Sequence, residues 1–254
     1  MQDSGSGLQD ERSGISDQGS AIRVSLVVPA HNEEALIRET LRALDAAAHT
    51  VGVPFELIVV DDASTDRTAA VAAGQGARIV RTDVRHIAAA RNVGARAAQG
   101  DMLVFVDADT IVPPGVLRAA VGLMQRGAVG GGASPVFEPA TPRWAMWTIG
   151  VTAWFMRRMR WAAGCFLFAR RDAFERAGGF DERYFASEEI HLSRALKRLG
   201  RFVILRDAVV TSGRKAAGYT PAQALWLGIR MLRPGTLKRR DRLGFWYGVR
   251  GRHQ

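Results

Sequence analysis

Cysteine is nearly absent from this 254-residue sequence, in which Cys165 is the single example. One thiol cannot form an internal disulfide or a thiolate metal cluster, and such scarcity suits a reducing cytoplasm. The sequence also lacks any apolar run of about 18 to 20 residues, the length that a membrane-spanning helix needs. We therefore expect a cytoplasmic, non-integral protein in which Cys165 is a small core residue.

Two glycine-rich phosphate-binding motifs are missing as well. No G-x-G-x-x-G follows the first predicted strand, and no G-x-x-x-x-G-K-[ST] occurs anywhere. These absences argue against a dinucleotide-dependent oxidoreductase and against a P-loop nucleotide hydrolase. The glycine-rich stretch at residues 129–133 does not open a helix, so we expect a strand that passes close to a ligand or to neighbouring backbone.

The residues that are present suit a globular protein with one substantial core, since 47% of them are hydrophobic. Residues 1–22 are different, being rich in Ser, Gly, Gln and Asp with few apolar side chains. They lack the basic start and the apolar stretch of a secretory signal. We expect them to form a disordered tail.

The net charge of +10 is concentrated towards the C-terminus, where residues 228–254 hold eight Arg or Lys against Asp241 alone. Aromatic residues are interleaved with these cations, which suits an anionic membrane surface and equally suits a packed helix with a basic solvent face. On charge alone, nucleic acid and polyanionic substrates also remain open. A second aromatic and arginine-containing stretch, residues 143–161, is expected to be a packed helix rather than a lipid-contacting one.

Strands and helices alternate through the first half of the chain. Apolar runs predict strands at residues 24–28, 56–60, 78–80 and 102–106. Helices are expected to begin near Asn32, as an N-cap, near Asp66 and near His86. This pattern predicts an α/β fold with a mainly parallel sheet flanked by helices, in which ligands bind at the carboxyl ends of the strands.

The second half is less regular. The sequence predicts a helix at residues 115–126, strands at 128–137, 164–169 and 202–205, and a turn at 178–181, followed by a helix from Ser187 to about Leu199 with Ser187 as its N-cap.

Polar motifs follow three of the predicted strands, at residues 29–33, 61–66 and 107–109. Parallel strands would bring all three to one edge of the sheet. Asp107 and Asp109 supply hard oxygen ligands that could bind Mg²⁺ or Mn²⁺, and the cation could in turn bind a diphosphate. The pair could also simply cap the next helix. An early carboxylate, Asp61 or Asp62, could accept hydrogen bonds from a ribose or a base.

Two further groups could approach the same edge. Arg91 adds a cation, with a surface arginine as the alternative reading. Glu188 and Glu189 fall in the first turn of a predicted helix, where the helix dipole favours ionised carboxylates. Such a carboxylate could remove a proton from an acceptor hydroxyl, although acidic first turns also occur for stability alone.

Taken in order, these motifs resemble family 2 glycosyltransferases over residues 24–210. The residues that carry the resemblance are Val27–Glu34, Val59–Asp66, Ala90–Gly94, Asp107–Asp109, Gly178–Glu182 and Glu188–Glu189. The resemblance implies a GT-A fold, a nucleotide-sugar donor and a divalent cation, Mg²⁺ or Mn²⁺. It also implies roles for individual residues: Pro29, His31 and Glu33 line the nucleotide pocket, Asp62 contacts the base or ribose beside Asp61, and Asp107 and Asp109 bind donor and metal.

The sequence departs from the family at two positions. Inverting members use an Asp, commonly preceded by Glu, as the base that deprotonates the acceptor, and here Glu189 takes that position beside Glu188. The longer side chain alters reach by one methylene, which leaves Glu188 open as the alternative base. The second departure is at residues 211–215, which contain no histidine although many relatives have one there. Arg214 or Lys215 is instead expected to neutralise the leaving diphosphate.

The resemblance predicts a domain over residues 23–212, with a nucleotide-sugar-binding half at 23–112 and an acceptor half at 113–212. A basic, aromatic helical extension over residues 213–254 would follow, able to place the protein on the inner face of the cell membrane. The expected function is sugar transfer to an acceptor hydroxyl, with inversion, in the synthesis of envelope glycan, lipid or polysaccharide. The alternatives are a nucleic-acid or anionic-surface binding module and a nucleotidyltransferase.

Overall fold

The computed structural model describes residues 22–137, 154, 157–185 and 187–212. The strands are β1 Val24–Ala30, β2 Phe55–Asp62, β3 Arg78–Thr82, β4 Met102–Val106, β5 Thr110–Ile111, β6 Gly130–Phe137, β7 Phe166–Arg170 and β8 Phe202–Thr211. The helices are α1 Ile37–Val51, α2 Thr68–Ala73, α3 Ile87–Ala97, α4 Pro114–Gln125, α5 Arg171–Arg176 and α6 Glu188–Leu199.

All eight strands form one mixed sheet in the order β3-β2-β1-β4-β7-β6-β8-β5. The four strands β3, β2, β1 and β4 run parallel, which confirms the prediction for the first half of the chain. β7 is antiparallel to both β4 and β6, while β6 and β8 pair in parallel. The strand–helix alternation that predicts parallel pairing ends after β4, and the antiparallel pairs begin there.

Helices cover both faces of the sheet, as the apolar strands predict. One core packs β1 and β4 against α1, α2 and α4, and the other packs them against α3, α5 and α6. Strands β1 and β4 are buried along their whole length because they lie between these two layers. Cys165 lies in the first of the two cores, as expected.

One predicted N-cap is wrong and another is confirmed in position. Asn32 has a left-handed backbone (φ +54°), and its amide oxygen accepts a hydrogen bond from Thr65 N–H; α1 begins later, at Ile37. The side-chain oxygen of Asn32, which could have capped α1, bonds instead to the loop after β2. Ser187 is the N-cap residue of α6, as predicted, but its backbone is left-handed (φ +65°) and its side chain makes no capping hydrogen bond.

Other predicted boundaries shift slightly. The acidic turn expected at residues 61–62 is the end of β2, and β8 continues beyond residue 205 to Thr211. The predicted tail, apart from Ile22, which packs against a core, lies outside the described residues, as do residues 143–153, 155, 156 and the extension at 213–254. The packed helix expected at 143–161 is not borne out in its described part, because residues 154 and 157–160 are all exposed.

The glycine-rich strand β6 passes close to neighbouring backbone, as predicted. A Cβ added at Gly130 would lie 2.6 Å from the carbonyl oxygen of Phe168, and one at Gly132 would lie 2.9 Å from that of Phe166. No side chain fits between these strands, which is why glycine is needed there.

Gly94 provides a test of how closely α3 packs on the sheet. A Cβ at Gly94 would clash with Val27 of β1 and lie 2.9 Å from Val60 Cγ2, whereas one at Gly115 on α4 would meet nothing within 4 Å. We expect Gly94→Ala to lower the free energy of unfolding by about 1–3 kcal/mol. Gly115→Ala should be neutral or stabilise by up to about 1 kcal/mol. Urea denaturation measures both, and equal midpoints would contradict the close α3–sheet contact.

Candidate active site

The three polar motifs of the first half meet at one edge of the sheet. β1 and β2 pair so that Ala30 lies opposite Asp61, and β1 and β4 are also parallel and adjacent. Residues 29–33, 61–66 and 107–109 therefore follow neighbouring strands at the same end. This is the carboxyl edge, where ligands of such sheets bind.

The loops after β1 and β2 are tied to each other by hydrogen bonds. Asn32 N–H donates to the Ser64 hydroxyl (3.0 Å), and the Asn32 amide oxygen accepts from Thr65 N–H (2.8 Å). Glu33 N–H donates to the Thr68 hydroxyl (2.8 Å). These bonds satisfy the backbone groups of two exposed turns and give them one fixed arrangement.

Of the residues predicted to line the nucleotide pocket, Pro29 is buried in β1, and His31 and Glu33 are half-buried. His31 Nδ1 lies 2.6 Å from the backbone carbonyl of Asp62. Because a carbonyl can only accept, the Nδ1 atom carries the hydrogen and donates it. His31 therefore joins the end of β1 to the end of β2.

The carboxylate of Asp62 is occupied by backbone amides. One oxygen accepts from the N–H groups of Val84 and Arg85, both at 2.9 Å, and the other accepts from His86 N–H at 3.2 Å. These three bonds hold the loop between β3 and α3. Asp62 therefore shapes the edge of the site.

Asp61, its neighbour, is less committed. Within the described residues, one oxygen of its carboxylate accepts a long hydrogen bond of 3.3 Å from Ser64 N–H. Both aspartates are largely buried. Of the two, Asp61 has the carboxylate better able to accept a further hydrogen bond from a ligand.

The loop held by Asp62 also starts α3. His86 is extended and accepts a hydrogen bond from Ala88 N–H through Nδ1 (3.2 Å), which makes it the N-cap of the helix. Its ring packs against Phe185, with the two ring centroids 4.3 Å apart. The Asp62 carboxylate thereby positions α3, the helix that carries Arg91.

Arg91 is the cation that joins the two halves of the site. Its Nη1 donates to Glu188 Oε1 at 2.6 Å, and its Nη2 donates to Asp107 Oδ1 at 2.8 Å and to the Gly164 carbonyl at 2.9 Å. The guanidinium also lies 5.3 Å from the ring centroid of Phe180. One side chain therefore connects the end of β4, the segment before β7 and the start of α6.

Arg91 is only 3% exposed, so the alternative reading of it as a surface arginine is wrong. Burial by itself lowers the pKa of Arg91, but the carboxylates of Asp107, Glu188 and Glu189 outweigh burial and raise it. The guanidinium is held charged in a poorly solvated place, where its attraction to the carboxylates is strong.

The next residue, Asn92, fixes the turn that follows α5. Its amide nitrogen donates to the Phe180 carbonyl (2.9 Å) and to Glu182 Oε1 (2.8 Å), while its oxygen accepts from Phe180 N–H (2.9 Å). Phe180 packs edge-on against Phe105 of β4, with ring centroids 4.9 Å apart. The motif at residues 90–94 thus holds the motif at residues 178–182 in place.

Asp107 and Asp109 lie between β4 and β5, next to the end of β8. Asp107 is partly exposed, and its N–H donates to the Cys165 carbonyl (3.3 Å). Asp109 Oδ1 accepts from the Thr211 hydroxyl at 3.4 Å, and its carbonyl accepts from Ser212 N–H. The end of β8 therefore lies beside this carboxylate pair, at the place where many relatives have a histidine.

The chemistry of this pair fits a cation that is shared with a substrate. No group of three or more His, Cys, Asp or Glu able to hold a metal is found among the described residues. Mg²⁺ and Mn²⁺ bound to phosphate substrates commonly take one or two carboxylates and complete their shell with phosphate oxygens and water. Asp107 and Asp109 are two carboxylates of the kind that could supply that share.

Glu188 and Glu189 have different environments although they are adjacent. Glu188 is buried and bonded to Arg91, whereas Glu189 is half-buried. A Cβ added at Gly164 would lie 3.2 Å from Arg91 Nη2 and 3.7 Å from the carboxyl carbon of Glu189, so both side chains lie beside Gly164. Burial, followed by the charge of Glu188, raises the pKa of Glu189 to about 8.

Sequence reasoning missed the roles of Gly164 and His86. The Gly164 carbonyl accepts a hydrogen bond from Arg91. Every residue has a backbone carbonyl, so the residue type does not show which one will act as an acceptor. His86 was assigned to the start of α3, but its ring and the loop before it are fixed by contacts that no local pattern shows. Arg214 and Lys215 lie outside the described residues.

A family model described as Glycosyl transferase family 2 matches residues 25–179. A curated relative, the undecaprenyl-phosphate 4-deoxy-4-formamido-L-arabinose transferase of Pseudomonas paraeruginosa, is 38% identical over 103 residues. That match covers 36% of this chain and 29% of the relative, so the chain spans about three-tenths of the length of that relative.

Two solved structures share the fold. A mannosyltransferase from Pyrobaculum calidifontis in complex with GDP-Man and Mn²⁺ has a TM-score of 0.60 and 25% identity, over 82% of this chain and 60% of that one. The glucosyl-3-phosphoglycerate synthase of Mycobacterium tuberculosis has a TM-score of 0.55 and 23% identity, over 81% of this chain and 75% of that one. These likenesses confirm the predicted GT-A fold. In the part of the chain that the structure describes, no helix is long and apolar enough to cross a membrane.

Arg91 can be tested as the electrostatic centre of the site. We expect Arg91→Met to lower the free energy of unfolding by about 3–5 kcal/mol, since it leaves Asp107 and the buried Glu188 without their partner. Arg96→Met, which removes an exposed cation from the same helix, should cost less than about 0.5 kcal/mol. Adding Glu188→Gln to Arg91→Met should restore part of the loss. Equal urea midpoints for the two single variants would contradict this role.

Proposed function

Because the chain belongs to glycosyl transferase family 2, we propose that it transfers a sugar from a nucleotide-sugar donor to an acceptor hydroxyl. The observation that carries this proposal is the Arg91 bridge between Asp107 and Glu188. It connects a carboxylate at the carboxyl edge of the sheet to the start of α6, where the half-buried Glu189 lies next to Glu188. A nucleotidyltransferase is disfavoured, since residues 29–34 contain neither Lys, Arg nor Gly.

The donor half would hold the nucleotide at the carboxyl edge of β1 and β2. Pro29, His31 and Glu33 would line the pocket, and Asp61 would accept hydrogen bonds from the ribose or base. This assignment exchanges the expected roles of the two aspartates, because the carboxylate of Asp62 already accepts three backbone amides. Asp62 would act by fixing the pocket wall.

Asp107 and Asp109 would hold a divalent cation together with the diphosphate of the donor. The neighbour from Pyrobaculum calidifontis, solved with GDP-Man and Mn²⁺, supports both the cation and the nucleotide sugar. When bound, such a cation would offset negative charge on the diphosphate. Arg91 would keep Asp107 oriented through its bond of 2.8 Å.

Glu189 is the better candidate for the base. Glu188 is occupied by Arg91 at 2.6 Å, whereas Glu189 is partly open. Burial and the charge of Glu188 raise the pKa of Glu189, which makes its ionised form a stronger proton acceptor. In the proposed step the acceptor oxygen attacks the anomeric carbon and its proton passes to Glu189. The bond to the nucleoside diphosphate breaks, and a single displacement of this kind inverts the anomeric centre.

The acceptor is proposed to be a hydroxyl rather than a phosphate. The curated relatives include a transferase named for undecaprenyl phosphate, but that match covers only 36% of this chain. Glu189 would supply a base, which a hydroxyl acceptor needs and a phosphate does not. The undecaprenyl-phosphate transferase supports a role in envelope glycan or lipid synthesis. A peripheral place on the inner face of the membrane, and the contribution of residues 213–254 to it, stay predictions.

Donor binding tests the function directly. In a thermal-shift screen of nucleoside diphosphates and their sugars, we expect at least one nucleotide to raise the melting temperature only when Mn²⁺ or Mg²⁺ is present. Asp109→Asn should abolish the metal-dependent shift, whereas Asp45→Asn, a change at a partly exposed position of α1, should retain it. If no nucleotide gives metal-dependent stabilisation, the glycosyltransferase proposal is wrong.

Glu189→Gln separates catalysis from donor binding. The amide cannot accept the acceptor proton, so we expect kcat to fall about 10²–10⁴-fold while the donor-induced thermal shift is unchanged. Glu39→Gln, an exposed first-turn position of α1, serves as the matched control and should keep full activity. Undiminished turnover by Glu189→Gln would reject the base assignment and would favour an acceptor that needs no deprotonation.

A further inference from the structure

A group of cations lies on the surface next to α6 and away from the Arg91 bridge. Its members, here called the basic patch, are Arg157, Arg158, Arg160, Arg194, Lys197 and Arg198. Five of the six are exposed, and Lys197 is half-buried. Ion pairs between described residues include none of them.

Three contacts show that the two segments of the patch form one surface. Lys197 Nζ donates to the carbonyl of Met159 at 2.9 Å, and the Arg194 guanidinium lies 4.7 Å from the ring centroid of Trp161. Ala162 N–H donates to the buried Ser193 hydroxyl at 3.1 Å. Residues 157–162 therefore run along the outer side of α6.

The cations of the patch are close enough to repel one another. Burial, followed by the charges of Arg194 and Arg160, lowers the pKa of Lys197. Positive charges from both segments therefore repel the Lys197 ammonium group. An extended anionic partner would relieve this repulsion at several positions together.

Two exposed apolar residues belong to the same part of the chain as three of these cations. Trp154 is 68% exposed and Met159 is 40% exposed, two of the most exposed large apolar residues among those described. Exposed tryptophan beside arginine and lysine is typical of surfaces that lie at a membrane interface, where the ring enters the headgroup region. A nucleic acid would use the charges and the ring, but it offers no apolar layer for the exposed thioether of Met159.

We propose that the basic patch, together with Trp154 and Met159, docks the protein on an anionic lipid bilayer. The charges supply attraction to the headgroups, and the two apolar side chains reach the headgroup–acyl boundary. The described residues of this surface are Trp154, 157–162 and those of α6, which belong to a different part of the sequence from the extension at residues 213–254. Its lipid binding does not depend on the reaction proposed above.

Docking in this way has a consequence for the site. The segment that carries three of the cations continues directly to Gly164 and Cys165, whose carbonyls bond to Arg91 and to Asp107 N–H. Docking would hold this segment at the bilayer, where an acceptor hydroxyl carried by a lipid could reach the site to which the segment leads. This consequence, unlike the binding, rests on the proposed function.

Vesicle flotation of the full chain tests the proposal. The unmodified protein should bind vesicles of phosphatidylglycerol and phosphatidylcholine, and bind pure phosphatidylcholine far more weakly. Arg158→Glu/Arg160→Glu/Arg198→Glu should reduce the partition coefficient on the anionic vesicles at least about tenfold. The control, Arg38→Glu/Arg118→Glu/Arg126→Glu, makes the same charge change on α1 and α4, which cover the other face of the sheet, and should reduce binding less than about threefold.

Several results would overturn the proposal. The first is that the unmodified chain does not bind the anionic vesicles, and the second is that both triple variants lose vesicle binding equally. The third is that a single-stranded oligonucleotide binds the protein more tightly than the vesicles do, and that the patch variant loses this oligonucleotide binding. Circular dichroism checks folding of each variant. If the patch variant does not fold, the milder Arg158→Gln/Arg198→Gln should still weaken vesicle binding several-fold relative to Arg38→Gln/Arg118→Gln, and equal binding by those two pairs would reject the patch.

Discussion

The buried guanidinium of Arg91 is the interaction on which the arrangement of this site depends. A cation that is 3% exposed is costly unless carboxylates surround it, and Asp107 and Glu188 do so from elements on either side. The same bonds fix the end of β4 against the start of α6. Removing Arg91 leaves the buried Glu188 unpaired, and removing either carboxylate leaves the guanidinium with one partner fewer, so the end of β4 and the start of α6 are held as one unit.

Much of the polar sequence around the site serves to hold loops together. Asn32 bonds to the loop after β2, Asp62 bonds to the loop after β3, and Asn92 bonds to the turn at Phe180. Turns at strand ends expose amides that need acceptors, and short polar side chains supply them. A motif residue that suggests a ligand contact can therefore have a structural role instead. Asp62 is an example, because its carboxylate holds the loop after β3.

The first half of the fold could be predicted because its signals are local. Buried parallel strands read as unbroken apolar runs, and each helix follows within a few residues. The second half could not be predicted to the same depth, because the strand–helix alternation ends after β4 and no local pattern marks the antiparallel pairs of β7 with β4 and β6. Asn32 failed as an N-cap because its side chain bonds to the loop after β2. Ser187 does precede α6, but its left-handed backbone and missing capping bond are not visible in the local sequence.

The sequence by itself determined the α/β class, the carboxyl edge with its three polar motifs and the resemblance to family 2 glycosyltransferases. The tertiary structure alone decided which carboxylates are available there. Arg91 meets Glu188 across 97 positions of sequence, and that contact occupies one glutamate and leaves its neighbour partly open. Residue type records that a charge is present, but only the folded chain sets the burial and the partners that determine what the charge can do.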